Sequence, residues 1–209
     1  MGGNSGRKKT PSAWLFSGTG LWLKKSREKR ESVPYIKKLV KALRLKGTAY
    51  HEAGHAVAAL YHGLKFTYVT IIPDEQQGSL GHVKFRGVDK SICERFEFGA
   101  LTDRRRMDIE RHVITMLTAG AAEARFRGRR DYVGAGKDRE DAAELARSRR
   151  VGGVNLVPLE KYLDYTQEVA KCFVADNRNW NNIRAVAEML LGHPRRTLSQ
   201  REVRTVMIK

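Results

Sequence analysis

The segment Thr48 to Tyr61 constrains this chain more than any other. It is rich in alanine, with Ala49, Ala53, Ala56, Ala58 and Ala59 joined by Tyr50, Val57 and Leu60, and His62-Gly63 follows it. Such a composition predicts a helix buried on several sides, because alanine favours the helix and lets neighbouring backbones approach closely. Three polar residues interrupt it: His51, Glu52 and His55. Burying them unpaired would be costly, so their place there needs a reason. Residues four apart on a helix sit one above the other, and two imidazoles so placed can bind one Zn²⁺ at about 2.0–2.1 Å each. Glu52, directly after the first histidine, is then placed to act as general base on the water that such a metal activates. The bland alternative is two surface histidines flanking a solvated glutamate, since the five-residue pattern is short. The apolar flanks argue against it.

A catalytic zinc needs a third protein ligand and keeps its fourth position open. The remaining histidines are His62, His82, His112 and His193, and none follows His55 at the spacing of the extended zinc motifs. A carboxylate is the better candidate. The Gly-rich turn Gly134-Ala135-Gly136-Lys137-Asp138 enters a predicted helix, but spacing alone leaves Asp138, Glu123, Asp131 and Asp141 all open.

The rest of the chain predicts an α+β fold, mostly helical, with a small β-sheet. The 209 residues are 41% hydrophobic and 30% charged, a balance that supports a buried core and argues against wholesale disorder. Residues Leu64 to Ile72 and Leu80 to Phe85 read as two strands of a hairpin with a long polar loop between them. Helical patterns follow around Met107 to Ala124, Asp138 to Arg150, Tyr162 to Ala175 and Ile183 to Leu191. A last helix begins with a capping box, Ser199 and Glu202. Two cysteines, Cys93 and Cys172, are too few for a disulfide framework and suit a reducing compartment.

Charge divides the chain unevenly. Residues 1–47 hold 13 Lys/Arg and 2 Asp/Glu, net +11 of the total +17. Residues 1–33 are expected to form a flexible basic arm, with Trp14, Phe16, Trp22 and Leu23 as an interfacial patch. Residues 34–209 are expected to form the folded domain. Its leading part, 34–47, reads as an amphipathic helix with Ile36, Leu39, Val40 and Leu43 on one side and Lys37, Lys38, Lys41 and Arg44 on the other. No stretch reaches the roughly 18 apolar residues that a bilayer span requires. The expected location is cytoplasmic, with peripheral attachment to a membrane as a further option.

The sequence Thr48-Ala49-Tyr50-His51-Glu52-Ala53-Gly54-His55-Ala56-Val57 resembles the zinc helix of the FtsH-type ATP-dependent metalloproteases. Four further segments resemble that family in the same order. They are Val69 to Pro73 with Gly78-Ser79-Leu80-Gly81, then Ala119-Gly120-Ala121-Ala122-Glu123 with Gly128, then Gly134 to Asp138 with Ala142 to Ala146, and last Thr197-Leu198 with Glu202-Val203-Arg204. The resemblance covers roughly residues 47–209. It implies a zinc endopeptidase fold in which Asp138 is the third ligand beside His51 and His55. Two positions depart from the family pattern. Gly136-Lys137 stands for Ser-Asn and brings a cation beside Asp138, and Ala124 replaces the second of two acidic residues. The family's ATPase module has no counterpart among the 47 residues before the zinc helix, and Asp131 and Asp138 spoil a phosphate-loop reading of Gly134-x-Gly136-Lys137, so no ATP site is expected.

The resulting expectation is a stand-alone zinc metalloendopeptidase acting on unfolded or flexible polypeptides, or served by a separate unfoldase. Glu52 is the expected general base, and Glu123 the expected partner of a ligand imidazole. Leu80, Gly81, His82 and Val83 form the expected strand for binding substrate backbone. Homo-oligomerisation is a further option. Two rival readings remain: a catalytically weak metal-binding adaptor, and a basic protein binding nucleic acid or an anionic membrane surface through residues 7–46.

Overall fold

A computed structural model describes residues 19–76, 78–86, 103–128, 136–148 and 157–207, with backbone only for 19–33, 35 and 105. The expectations placed on Trp14, Phe16, Cys93, Asp131, Gly134 and Ala135 lie outside the described residues, as do those on the side chains of Trp22 and Leu23. Two compact units divide the chain, Met1–Lys41 and Ala42–Lys209. The described residues form an α+β fold, mostly helical, with one small antiparallel sheet.

Helix α1 spans Thr19–Tyr61 and contains Pro34. It includes residues 19–33, assigned from sequence to an arm, and runs through the 33/34 boundary drawn there. In the first unit it leaves Ile36, Leu39 and Val40 about half exposed. In the second unit Ala49, Ala53, Ala56, Val57, Ala58 and Ala59 are fully buried. Gly63 closes the helix with a positive φ of 75°, a conformation that costs glycine nothing.

Strand β1 (Phe66–Thr70) pairs antiparallel with β2 (His82–Phe85), aligning Val69 with Val83 and Thr70 with His82. A third strand, β3 (Thr197–Ser199), pairs with β1 on its other side and was not foreseen from sequence. Three residues carry no periodicity, so only their pairing with Tyr68 to Thr70 makes them a strand. The order is β2-β1-β3, which puts β2 at an edge among the described strands.

Helix α2 (Asp103–Phe126) serves two cores at once. Its Ala121 and Ala122 join α1, β1 and Leu198 in one cluster. Its Ile109, Val113 and Leu117 join Ala142, Leu145 and Ala146 of α3 (Gly136–Ser148), and Leu163 and Ala170 of α4 (Leu159–Ala175), in the other. Thus α2 holds α1 on one side and α3 on the other. At Gly54 α1 and α2 approach closely: a Cβ there would lie 2.9 Å from Ala119 Cα and from Ala122 Cβ. Helix α5 (Asn177–Gly192) starts at Asp176, whose side chain accepts from the Asn179 N–H. Helix α6 (Gln200–Val206) carries the Ser199–Glu202 capping box that the sequence implies.

Candidate metal centre

The polar residues of α1 face α2 and the start of α3. His51 and His55 lie on one helix face with their rings edge to face and centroids 5.0 Å apart, as the four-residue spacing allows. Asp138 stands in the first turn of α3, where the helix dipole favours negative charge. Its Oδ2 lies 2.9 Å from His51 Nε2, and its Oδ1 lies 3.6 Å from His55 Nε2. One ligand atom from each of the three residues falls within 4.8 Å of the others. A tetrahedral zinc with bonds near 2.1 Å separates its ligand atoms by about 3.4 Å, so the donor set and its spacing suit that ion.

The far nitrogens are also held. His55 Nδ1 lies 3.1 Å from the Thr115 carbonyl, which accepts a hydrogen bond from it and leaves Nε2 as the free electron pair. His51 Nδ1 lies 3.3 Å from Glu123 Oε2, within ion-pair reach although the angle falls short of a hydrogen bond. Glu123 in turn takes Arg127, whose Nη2 is 2.7 Å from Oε1. Burial works to raise the Glu123 carboxyl, but His51 and Arg127 together hold it below its ordinary range. Burial works to lower His51, yet its contacts with Asp138 and Glu123 push it up to about 10. For Asp138, burial is outweighed by His55 and His51, which hold its carboxyl well below the usual range. A metal ion bound between these groups would compete with a proton for the same His51 nitrogen.

Glu52 differs from its neighbours. It is 5% exposed, and its Oε2 is buried without a hydrogen-bond partner. Burial raises its pKa, opposed by the two histidines. Gly81 packs directly over it, since a Cβ at Gly81 would lie 2.9 Å from Glu52 Cγ and 2.7 Å from the Thr70 carbonyl. Only glycine lets the β1–β2 connection pass this close to the carboxylate.

These residues open into a cleft of about 590 Å³, whose wall includes Leu80, Gly81, His82, Val83, Met116 and Lys137. Leu80 is 64% exposed at its mouth. Val83 packs on the core, so the alternation of a strand turns the His82 ring to the other face, where Nε2 lies 3.1 Å from the Tyr68 hydroxyl. His82 therefore borders the cleft without joining the histidine–aspartate cluster. Among the carboxylates left open by spacing, Asp138 and Glu123 meet His51 from opposite sides. Asp141 lines the cleft wall, its carboxyl raised by partial burial against the pull of Lys137. The remaining histidines, His62, His112 and His193, are not in the cluster.

Sequence reasoning missed two contributors. Arg127 had a signal, the four-residue spacing from Glu123 on one helix. Thr115 had none, because it acts through its backbone carbonyl. No protein-family model matches the chain, and a search of curated proteins finds no match to it.

Proposed function

We propose that the second unit is a zinc-dependent endopeptidase of the FtsH-type peptidase kind, cutting unfolded or flexible polypeptides. The observation that carries this reading is the buried, unpartnered Glu52 Oε2 beside the converging His51, His55 and Asp138. A carboxylate oxygen so placed is costly unless something polar comes to it. His51 Nε2, His55 Nε2 and a carboxylate oxygen of Asp138 would hold the metal. Once bound there, Zn²⁺ supplies Lewis acidity, bringing the pKa of water near 7 and polarising a carbonyl.

The protein's own groups do the rest. Glu52 takes a proton from the attacking water at Oε2 and delivers it to the leaving amine. The Thr115 carbonyl and Glu123 keep both imidazoles oriented with Nε2 towards the cleft. Gly81 and the edge strand β2 border the same cleft, and an extended substrate can add to that edge through backbone hydrogen bonds. Recognition of this type reads backbone rather than side chains, which suits unfolded substrates.

The test is Glu52→Gln, assayed for zinc content and for casein cleavage beside wild type. Gln keeps the volume but cannot accept the proton. Zinc should stay bound while cleavage falls by about 10²–10⁴-fold. Cleavage near the wild-type rate would overturn the proposal.

A further inference from the structure

We infer that the helical segment 36–41 of the first unit docks onto an anionic phospholipid surface. Ile36 is 53% exposed, Leu39 48% and Val40 42%. Positions three and four apart share a helix face, so these side chains form one continuous aliphatic strip in water. Lys37, Lys38 and Lys41, all exposed, lie on the side of the helix away from that strip. They belong to a region of net +11 over residues 1–47.

Three occupants compete for such a helix, and their chemistry separates them. Nucleic acid would neutralise the lysines but leave the aliphatic strip wet. A second copy would cover the strip but bring like charges closer than the roughly 8 Å over which salt screens them. An anionic bilayer satisfies both halves: the strip enters the acyl boundary, and the lysine stems lie along it with their ammonium groups among the headgroups. No helix among the described residues is long and apolar enough to cross a membrane, so the contact is one of lying on the surface. This inference is independent of the peptidase reading.

Flotation of the full chain with vesicles of phosphatidylcholine, with and without phosphatidylserine, tests it. Wild type should float with the phosphatidylserine vesicles alone, and salt should weaken the association. The variant Ile36→Gln/Leu39→Gln/Val40→Gln should bind at least about tenfold more weakly, because the buried aliphatic area is lost. The variant Lys37→Glu/Lys38→Glu/Lys41→Glu should lose binding as well. Should a triple variant fail to fold by circular dichroism, the single changes decide: Leu39→Gln should weaken and Leu39→Trp strengthen vesicle binding. Equal binding to neutral vesicles overturns the inference. So does a Gln variant that still floats, or one whose only defect is loss of a dimer in sedimentation. Retention of the Gln variant on RNA at wild-type strength, with no wild-type flotation, overturns it in favour of nucleic acid.

Discussion

Arg127 places two donors on a single oxygen of Glu123, Nη2 at 2.7 Å and Nε at 2.8 Å from Oε1, which leaves Oε2 turned towards His51. The guanidinium lies against Gly47, where a side chain would displace it. Arg127 thus sets the direction in which Glu123 faces, and through it the orientation of the His51 ring. It acts as a positioning residue for the candidate metal centre, through Glu123 and His51.

Replacing Arg127 by Gln should therefore weaken zinc binding by about tenfold, at the low end of what outer partners contribute to metal affinity. Arg127→Lys should fall between, since one ammonium cannot supply both donors. Competition against a chromophoric chelator measures this directly. A variant that loses thermal stability but keeps wild-type zinc affinity would assign Arg127 a purely structural role.

Asp138→Ala should lose zinc and activity together, because two histidines alone make a weak site. Asp141→Ala should keep both, as its carboxyl lines the cleft without joining the group of His51, His55 and Asp138. Metal analysis after dialysis separates the two outcomes. Retained stoichiometric zinc in Asp138→Ala would show that another group completes the set.

At Gly54, helix propensity and packing pull in opposite directions. Alanine there gains about 1 kcal/mol in propensity, but its Cβ would sit 2.9 Å from Ala119 Cα, a backbone atom that cannot move aside. Overpacking of that kind costs about 1–3 kcal/mol, so the net effect of Gly54→Ala should be a loss of up to about 2 kcal/mol. Urea unfolding should show a lower midpoint with an unchanged slope. A higher midpoint would mean that α1 and α2 separate readily.

His62 and His112 predict the response to mild acid. Burial lowers the pKa of each below the ordinary 6.5, assisted by Arg111 at His62 and by His62 at His112, while Asp108 pulls His112 the other way. Below about pH 6.5 the unfolded chain takes up protons on these histidines that the folded chain refuses. The share of stability linked to these two histidines is thus fully present above that pH and falls as the medium is acidified. Urea midpoints at neutral pH and near pH 5.5 measure the loss. The double change His62→Gln/His112→Gln should flatten the response, and an unchanged slope would remove these two groups as its source.

The features that short-range physics controls were legible in the sequence. Alanine composition marked the buried half of α1, the four-residue spacing put His51 and His55 on one face, and Ser199 with Glu202 announced the start of α6. Each of these is settled within a turn or two of backbone. The class of the fold followed from the same local patterns. What spacing left open was which carboxylate approaches the histidines, because that depends on groups far apart in the chain. Asp138 arrives beside His51 since α3 packs Ala142, Leu145 and Ala146 against Ile109, Val113 and Leu117 of α2, the helix that also holds α1. The grip of the Thr115 carbonyl on His55, the passage of Gly81 over Glu52 and the existence of β3 were likewise decided only in three dimensions. A backbone carbonyl, a close approach and a three-residue strand have no side-chain pattern to announce them. They are products of packing between distant segments.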